Sequence, residues 1–414
     1  MPHNFISEIT TSVRQFPLEE GDGTDAIHTD PVYSYVVTHI HTEKSISGSG
    51  IVFTIGAGNE EICSLIEGLA SPLIGREIEE LMSQFGEVFR HLADHPRYRW
   101  LGPHKGMIHL ALASITNACY DLWAKARDVP LWKLLIDLTP EEVINTLDLS
   151  YLEEELTREQ AIGILSDNQS GRAKRSGILD AGYPGYDTSI GWFNYSDDQV
   201  KAKVRKAVES GFDAMKLKVG SPETERDIRR AYLVREAAGD DARVMLDVNQ
   251  SWSLPQSIQR AKALSGMSPF WIEEPTQPDD VLGHQTLAKE IAPIDIALGE
   301  HVSNRVLFKN FMQANAVRYV QVDCTRVGGI SEFITVSLLA RKFKLPVVPH
   351  VGDMGQIHQH LVLFNHIALG HEALFLEHIP HLRNYFSHPA QVSKGTYATP
   401  QEPGSSSDFI EDTT

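Results

Sequence analysis

Seven short apolar segments in the second half of the chain each end in an ionisable residue, and these residues recur at intervals of 23 to 29 positions. Near-continuous apolar runs are typical of parallel strands that are buried on both faces. Amphipathic segments separate them, which favours an α/β barrel over the alternative, an open doubly wound sheet. The predicted strands are Ala214–Val219, Val244–Val248, Phe270–Ile272, Ile296–Leu298, Tyr319–Val322, Val347–Val348 and Leu374–Leu376.

The side chains at these strand ends are expected to converge on one cavity, because barrel enzymes keep their chemistry at the carboxyl ends of the strands. A purely structural role explains them poorly. Charged groups are rarely buried without partners, and several acids pointing together would repel. The residues are Lys218, Asp247, Glu273, Glu300, Asp323, His350 and Glu377.

Three successive acids in this series, Asp247, Glu273 and Glu300, predict a cation site. Carboxylate oxygens suit Mg²⁺, with positions left over for water and substrate, whereas zinc would be expected to recruit His or Cys. A single acid of this kind would more simply pair with an Arg or Lys. Three in register favour one magnesium ion per active site.

Lys216 and Lys218 are separated by one residue, so they face the same side of one strand. Two neighbouring ammonium groups lower each other's proton affinity, which predicts a neutral lysine base near pH 7. The alternative is a pair of lysines that extend from a strand end into solvent.

The acid partner is predicted at His350, because the carboxylate of Asp323 can orient a histidine and raise its pKa. Glu377, if burial keeps it protonated, could hydrogen-bond a substrate carboxylate. A base, a cation and an acid together predict removal of a proton α to a carboxylate, with the cation stabilising the enediolate.

The net charge, the cysteine content and the distribution of apolar residues restrict the possible binding partners and the cellular compartment. The formal net charge of −18 disfavours nucleic acid and anionic membranes as partners. Three scattered cysteines form no zinc-type spacing or disulfide framework. No apolar stretch has the length of a signal peptide core or a membrane span, so we expect a cytoplasmic protein. The polar tail from Gly404 is expected to be frayed.

The ordered set of motifs resembles the mandelate-racemase-like branch of the enolase superfamily. It comprises Lys216–Lys218, Asp247–Asn249, Trp271–Pro275, Gly299–His301 and Pro349–His350. A second set is similar to the L-fuconate and L-galactonate dehydratases, and the similarity runs from about Gly23 to Ser407. That set comprises Arg99–Pro103, Thr188–Trp192, Glu274–Asp280 and Asn304–Val306.

This resemblance implies an N-terminal α+β capping domain over residues 1–140 and a modified (β/α)7β barrel over 141–380. A C-terminal segment over 381–414 would return to the cap. It also implies a homo-oligomer that acts on a small-molecule sugar acid. The strands predicted near Tyr33–Ile40 and Ile46–Ile55 and the helix predicted over Met107–Arg127 agree with an α+β cap.

The resemblance also implies residue roles, in a hydro-lyase that gives a 2-keto-3-deoxy acid. Lys218 would take the C2 proton, Lys216 would hold the substrate carboxylate, and His350, oriented by Asp323, would protonate the departing 3-hydroxyl. Glu377 would support the carboxylate. Magnesium would be bound by Asp247, Glu273 and Glu300, and substrate by Asn249, Asp25, Trp192 and His301.

The segment that follows His350 departs from the family pattern at Asp353 and at His358. Because of these departures, the resemblance does not determine which sugar acid is the substrate. Two other functions also stay open. A racemase or epimerase would use Lys218 and His350 as opposed bases, and a non-catalytic relative would turn over no acid sugar.

Overall fold

The computed structural model describes residues 4–373 and 375–410. Its N-terminal part is a three-stranded antiparallel sheet packed against helices. The strands are β1 (Ile6–Phe16), β2 (Tyr33–Thr42) and β3 (Ser47–Thr54). The helices are α1 (Asn59–Ala70), α2 (Ile78–Ser83), α3 (Phe85–Ala93), α4 (Pro96–Arg99), α5 (Gly106–Ala126), α6 (Leu131–Asp137) and α7 (Pro140–Asn145).

Helix α5 lies directly on strand β3, and the strand sequence permits this contact. A side chain at Gly50 would place its Cβ 2.0 Å from the backbone oxygen of Ser114. Ser114 instead donates its hydroxyl to the Gly50 carbonyl at 2.8 Å. Because Gly50 has no side chain, α5, the longest helix of the described residues, can pack directly against the sheet, where most of its length is buried.

A parallel sheet forms the barrel, in the strand order β10-β4-β5-β6-β7-β8-β9. An isolated bridge between Val347 and Val320 adds a further position beside the last strand. The strands are β4 (Tyr183–Gly191), β5 (Ala214–Lys218), β6 (Arg243–Asp247), β7 (Trp271–Glu273), β8 (Asp295–Leu298), β9 (Tyr319–Val320) and β10 (Leu376–His378).

Helices alternate with these strands, and a short helical stretch precedes the first of them. Ser196 caps one helix through the backbone N–H of Gln199. No helix among the described residues is both long and apolar enough to cross a membrane. The helices are α8 (Arg158–Asp167), α9 (Arg172–Arg175), α10 (Ile178–Ala181), α11 (Asp197–Glu209), α12 (Thr224–Ala238), α13 (Leu254–Leu264), α14 (Val281–Glu290), α15 (Arg305–Gln313), α16 (Ile330–Lys342) and α17 (Ile357–Phe364).

The observed strands differ from the predicted segments near the end of the barrel. Only two residues of Tyr319–Val322 pair as a strand, and Val347 forms a single bridge instead of a strand. Leu374 lies outside the described residues, and β10 begins at Leu376. Apolar runs predict burial, whereas a strand also requires backbone pairing, which here is shorter than the runs.

The C-terminal segment adds β11 (Val392–Ser393) and β12 (Thr396–Tyr397) beside β4 and then returns to the N-terminal part. The prediction of a frayed tail is wrong for residues 404–410. Ser405 is buried and donates its N–H to Asp121 at 2.6 Å, and Asp408 pairs with Lys125 at 2.7 Å. Small polar residues fit here because the buried carboxylate of Asp121 requires donors. Residues 411–414 lie outside the described residues.

A buried ion network joins α5 to two barrel helices. Arg305 contacts Asp148 at 2.6 Å and Glu332 at 3.0 Å, and His109 of α5 contacts Glu332 at 2.5 Å. Removing the guanidinium leaves the buried carboxylate of Asp148 without its ion-pair partner and leaves Glu332 with His109 alone. We therefore expect Arg305→Met to lower the free energy of unfolding by about 3–5 kcal/mol in urea titrations. Arg243→Met, which removes a partly exposed arginine, is the control, and an equal loss there would contradict this assignment.

Two buried histidines predict a loss of stability in acid. Burial lowers the pKa of His360 to about 3 and that of His371 to about 4. The unfolded chain takes up these protons near pH 6.5. Their contribution to stability is therefore complete above that pH and is lost as the pH falls toward 4 and 3.

The variant His360→Asn tests this dependence, because it retains an acceptor for the backbone N–H of Trp132 but does not titrate. Between pH 6 and 4.5, the free energy of unfolding should fall less steeply with decreasing pH in His360→Asn than in the wild type. The difference between the two slopes should be about 1.4 kcal/mol per pH unit. An unchanged slope in urea titrations would show that His360 already binds a proton in the folded state.

Candidate active site

Lys216 lies at the centre of the acids that end the barrel strands. Its fully buried ammonium group is 2.5 Å from Glu273, 2.8 Å from Glu377 and 3.4 Å from Asp247. The parallel register explains the convergence, since Lys218 is level with Asp247 and Asp247 is level with Glu273 on adjacent strands. The structure thus brings these predicted residues together at the carboxyl end of the barrel.

Lys218 stands beside this cluster and borders the ring of Trp192. Its Nζ donates to Asp247 at 2.6 Å and to Asn249 at 3.1 Å, and it lies 5.7 Å from the centre of the Trp192 ring. Burial and the charge of Lys216 lower the pKa of Lys218, but the charges of Asp247, Asp25 and Glu300 together outweigh them and raise it. The prediction of a lowered lysine pKa is therefore wrong for this arrangement, because acids lie nearer than the second ammonium.

Glu377 is held as a carboxylate. Thr188 donates its hydroxyl to Glu377 at 2.6 Å, and Lys216 pairs with it. Burial raises the pKa of Glu377, but the charges of Lys216 and His350 outweigh it, so the pKa is lowered. The condition set for a hydrogen bond from Glu377 to the substrate, its protonation by burial, is therefore not met. Burial and the neighbouring acids Asp247 and Glu377 raise the pKa of Glu273, and the charge of Lys216 opposes them.

His350 and Asp323 form the predicted contact. His350 Nδ1 lies 2.7 Å from Asp323 Oδ2, and its other nitrogen, Nε2, lies 3.4 Å from Glu300 Oε2. Burial lowers the pKa of His350, but Glu300 and Asp323 outweigh it and raise the pKa to about 9. A histidine in this state can give up a proton from Nε2 at neutral pH.

The donor types suit a hard cation, although among the described residues the ligand atoms grouped closely with those of Glu300 belong to Glu274 and His301. Asp247 and Glu273 lie on the side of the cluster held by the lysines, whereas Glu300 lies beside His350 and His301. Glu300 Oε2 is buried and has no hydrogen-bond partner among the described residues. Carboxylate oxygens from three successive strands, one of them without a donor, are the ligands that magnesium prefers.

The other predicted substrate contacts are partly engaged by the protein itself. His301 Nδ1 lies 2.8 Å from Glu274. Trp192 donates its indole N–H to His381 at 2.8 Å, so its ring faces Lys218 in a fixed orientation. Asp25 accepts two backbone N–H groups of its own loop and contacts His28 at 3.0 Å, and the charge of Lys218 also acts on it, so this buried carboxylate lies near the site.

Sequence reasoning missed Tyr33, which β2 directs toward the site. Burial raises the pKa of its hydroxyl, and the charges of Lys218, Glu377 and Glu300 also act on it. The loop that contains Thr24 reaches the barrel as well, because the Thr24 carbonyl accepts the backbone N–H at position 193. The resemblance already assigns Asp25 of this loop to the substrate, whereas no pattern in the sequence distinguishes Tyr33.

Family models match both parts of the chain. Residues 11–135 match the "Mandelate racemase / muconate lactonizing enzyme, N-terminal domain", and residues 199–413 match the "Enolase C-terminal domain-like" family. The chain belongs to the enolase superfamily. The predicted family and the predicted fold class, an α/β barrel with an N-terminal α+β cap, are thereby confirmed.

This enolase-superfamily member has close relatives along its whole length. "Mitochondrial enolase superfamily member 1" of Xenopus laevis is 40% identical and aligns over 97% of this chain and 92% of that protein. The L-galactonate dehydratase of Hypocrea jecorina is 38% identical over 96% and 92%. The crystal structure of human mitochondrial enolase superfamily member 1 superposes with a TM-score of 0.96 at 38% identity, covering 99% of this chain and 95% of that one.

A more distant structure carries ligands. The L-talarate/galactarate dehydratase of Salmonella typhimurium, liganded with Mg and L-lyxarohydroxamate, superposes with a TM-score of 0.77 at 25% identity, covering 99% of this chain and 92% of that one. That protein shows that this fold accommodates a metal ion together with a sugar-acid analogue.

Proposed function

We propose that this enolase-superfamily member is a magnesium-dependent dehydratase of a sugar acid. One observation carries the proposal: two proton-transfer groups border the same carboxylate cluster from different sides. Lys218 contacts Asp247 at 2.6 Å, and His350 contacts Glu300 at 3.4 Å. Loss of water needs a base at C2 and an acid at the 3-hydroxyl, and these two groups supply one each.

Asp247, Glu273 and Glu300 would hold the magnesium ion, which when bound stabilises negative charge on the substrate carboxylate. The magnesium-bound dehydratase structure and the oxygen donor set support this assignment. Lys216 completes the binding of the carboxylate, because Glu273 and Glu377 keep its buried side chain an ammonium.

Lys218 Nζ takes the proton from C2. Burial and the ammonium group of Lys216 both favour its neutral form and oppose the effect of Asp247. Asn249 and the Trp192 ring fix the direction of Nζ. The electron pair of the broken C–H bond then enters the C2–C3 region and expels the 3-hydroxyl.

His350 gives its Nε2 proton to the departing hydroxyl, so that water leaves. Asp323 accepts the hydrogen on His350 Nδ1 and thereby keeps the ring in one orientation. The enol that remains tautomerises to a 2-keto-3-deoxy acid. The C2–H and C3–O bonds are broken, one water is formed, and no oxidant is needed.

We propose L-galactonate or L-fuconate as the substrate. The 38% identity to an L-galactonate dehydratase over almost the full chain supports this choice. The experiment is to incubate the purified protein and Mg²⁺ with a panel of acid sugars that includes both acids and their C2 and C3 epimers, and to measure 2-keto acid. We expect one of the two to be the best substrate.

The same panel separates the other functions. Proton NMR that shows inversion at C2 of the starting acid, with no keto product, would favour a racemase or epimerase. Absence of any change across the panel would overturn the proposal in favour of a non-catalytic relative.

A further inference from the structure

Asp323 contacts a second histidine in addition to His350. His358, the second residue of α17, directs Nε2 at Asp323 Oδ1 across 2.8 Å, whereas His350 Nδ1 lies 2.7 Å from Oδ2. His358 is 2% exposed, and it contacts the carboxylate oxygen that His350 does not contact, whereas the other nitrogen of His350 faces Glu300. One carboxylate therefore connects two imidazole rings.

In the buried hydrogen bond between His358 and Asp323, the histidine is the donor. Burial raises the pKa of Asp323, but His358 and His350 outweigh burial and hold it well below the usual range. An ionised carboxylate only accepts hydrogen bonds, so the hydrogen lies on Nε2 of His358. The other ring nitrogen of His358 is buried without a hydrogen-bond partner among the described residues. The contact with Asp323 is thus the strongest polar contact of this side chain.

We propose that His358 is a positioning residue for the acid step. Its N–H fixes Asp323 Oδ1, so that Oδ2 stays in line with His350 Nδ1 and His350 Nε2 stays directed at the 3-hydroxyl of the substrate. This inference rests on the proposed dehydratase function. Thr325 also donates to Oδ1, from its N–H at 2.7 Å and its hydroxyl at 2.8 Å. Loss of His358 therefore loosens Asp323 without leaving that oxygen bare.

The two proton transfers respond differently to this change. Lys218 exchanges the C2 proton with solvent, and neither Asp323 nor His358 contacts it among the hydrogen bonds and ion pairs of the described residues. His350 acts only when the 3-hydroxyl departs. A loosened Asp323 should therefore slow loss of water and leave C2 exchange intact, whereas partial unfolding would lower both rates together.

The experiment compares His358→Met with His358→Gln in the full-length protein with Mg²⁺ and L-galactonate or L-fuconate, whichever reacts faster. Methionine has a similar volume but no donor, and glutamine retains an N–H of similar reach. We expect His358→Met to lower kcat for dehydration roughly 10- to 100-fold, with KM and deuterium incorporation at C2 unchanged. Glutamine should restore most of kcat. His360→Asn, which changes a buried histidine of the same helix, should leave both rates unchanged.

A second measurement needs no turnover. In protein labelled with ¹⁵N-histidine, the downfield signal of the His350 Nδ1 hydrogen should persist in His358→Gln and be broadened in His358→Met. The inference is overturned if the two variants give the same signal, if methionine and glutamine give equal kcat, or if C2 exchange falls in step with dehydration. A wild-type protein that dehydrates no acid sugar but shows the expected signals would overturn the proposed function alone.

Discussion

Replacing Lys218 with methionine should lower kcat for dehydration by about 10²- to 10⁴-fold, the range typical of a lost general base. The same change should stop incorporation of deuterium at C2 of the unreacted acid, because the amine that takes the C2 proton is then absent. Lys218 is buried, and its Nζ contacts Asp247 and Asn249, so methionine fits the space without adding a charge. Proton NMR in deuterated buffer measures both rates in one sample.

The control is Lys203→Met, which removes an ammonium group that lies 4.7 Å from the ring of Tyr195. That residue takes no part in the proposed chemistry, so activity should be retained. Persistent C2 exchange in Lys218→Met would show that another group removes the proton, with His350 as the next candidate.

The second large effect concerns the carboxylates. Asp247→Asn or Glu273→Gln should abolish Mg²⁺ binding and activity together, because each change replaces an anionic ligand with a neutral amide of the same shape. Both acids also contact Lys216, so each variant first needs a melting curve that shows a folded protein. Calorimetric titration with Mg²⁺ then measures binding directly, and we expect one ion per chain for the wild type.

Asp295→Asn provides the matched control. Asp295 begins β8, the strand after which Glu300 follows, and therefore lies at the opposite end of the barrel. This variant should bind Mg²⁺ like the wild type. Undiminished Mg²⁺ affinity in Asp247→Asn and Glu273→Gln would show that the ion uses other ligands. The next candidates are Glu274 and His301, whose ligand atoms lie close to those of Glu300.

The barrel and the placement of its polar strand ends were predictable, because both follow from local chemistry. Strands that are buried on both faces require apolar residues, and parallel pairing aligns their carboxyl ends at one edge. The contact between His350 and Asp323 and the cluster around Lys216 follow from that alignment. The roles of these residues in catalysis stay predictions until they are tested.

Protonation states were not predictable from spacing. The pKa of Lys218 depends on whether Asp247 or Lys216 lies nearer in space, and that of Glu377 depends on donors from distant parts of the chain. The approach of Tyr33 to the site was equally hidden. Tyr33 reaches the site from the cap sheet, and no local pattern distinguishes it from an ordinary strand tyrosine.

In the proposed reaction, Lys218 removes the C2 proton of a sugar acid whose carboxylate is bound at the cation site, and the acid then loses water. The most direct measurement follows 2-keto acid formation from L-galactonate and L-fuconate before chelation, after removal of divalent ions, and after Mg²⁺ is restored. We predict that keto acid formation disappears on chelation and returns with Mg²⁺. Keto acid formation that continues at the same rate without divalent ions would contradict the account.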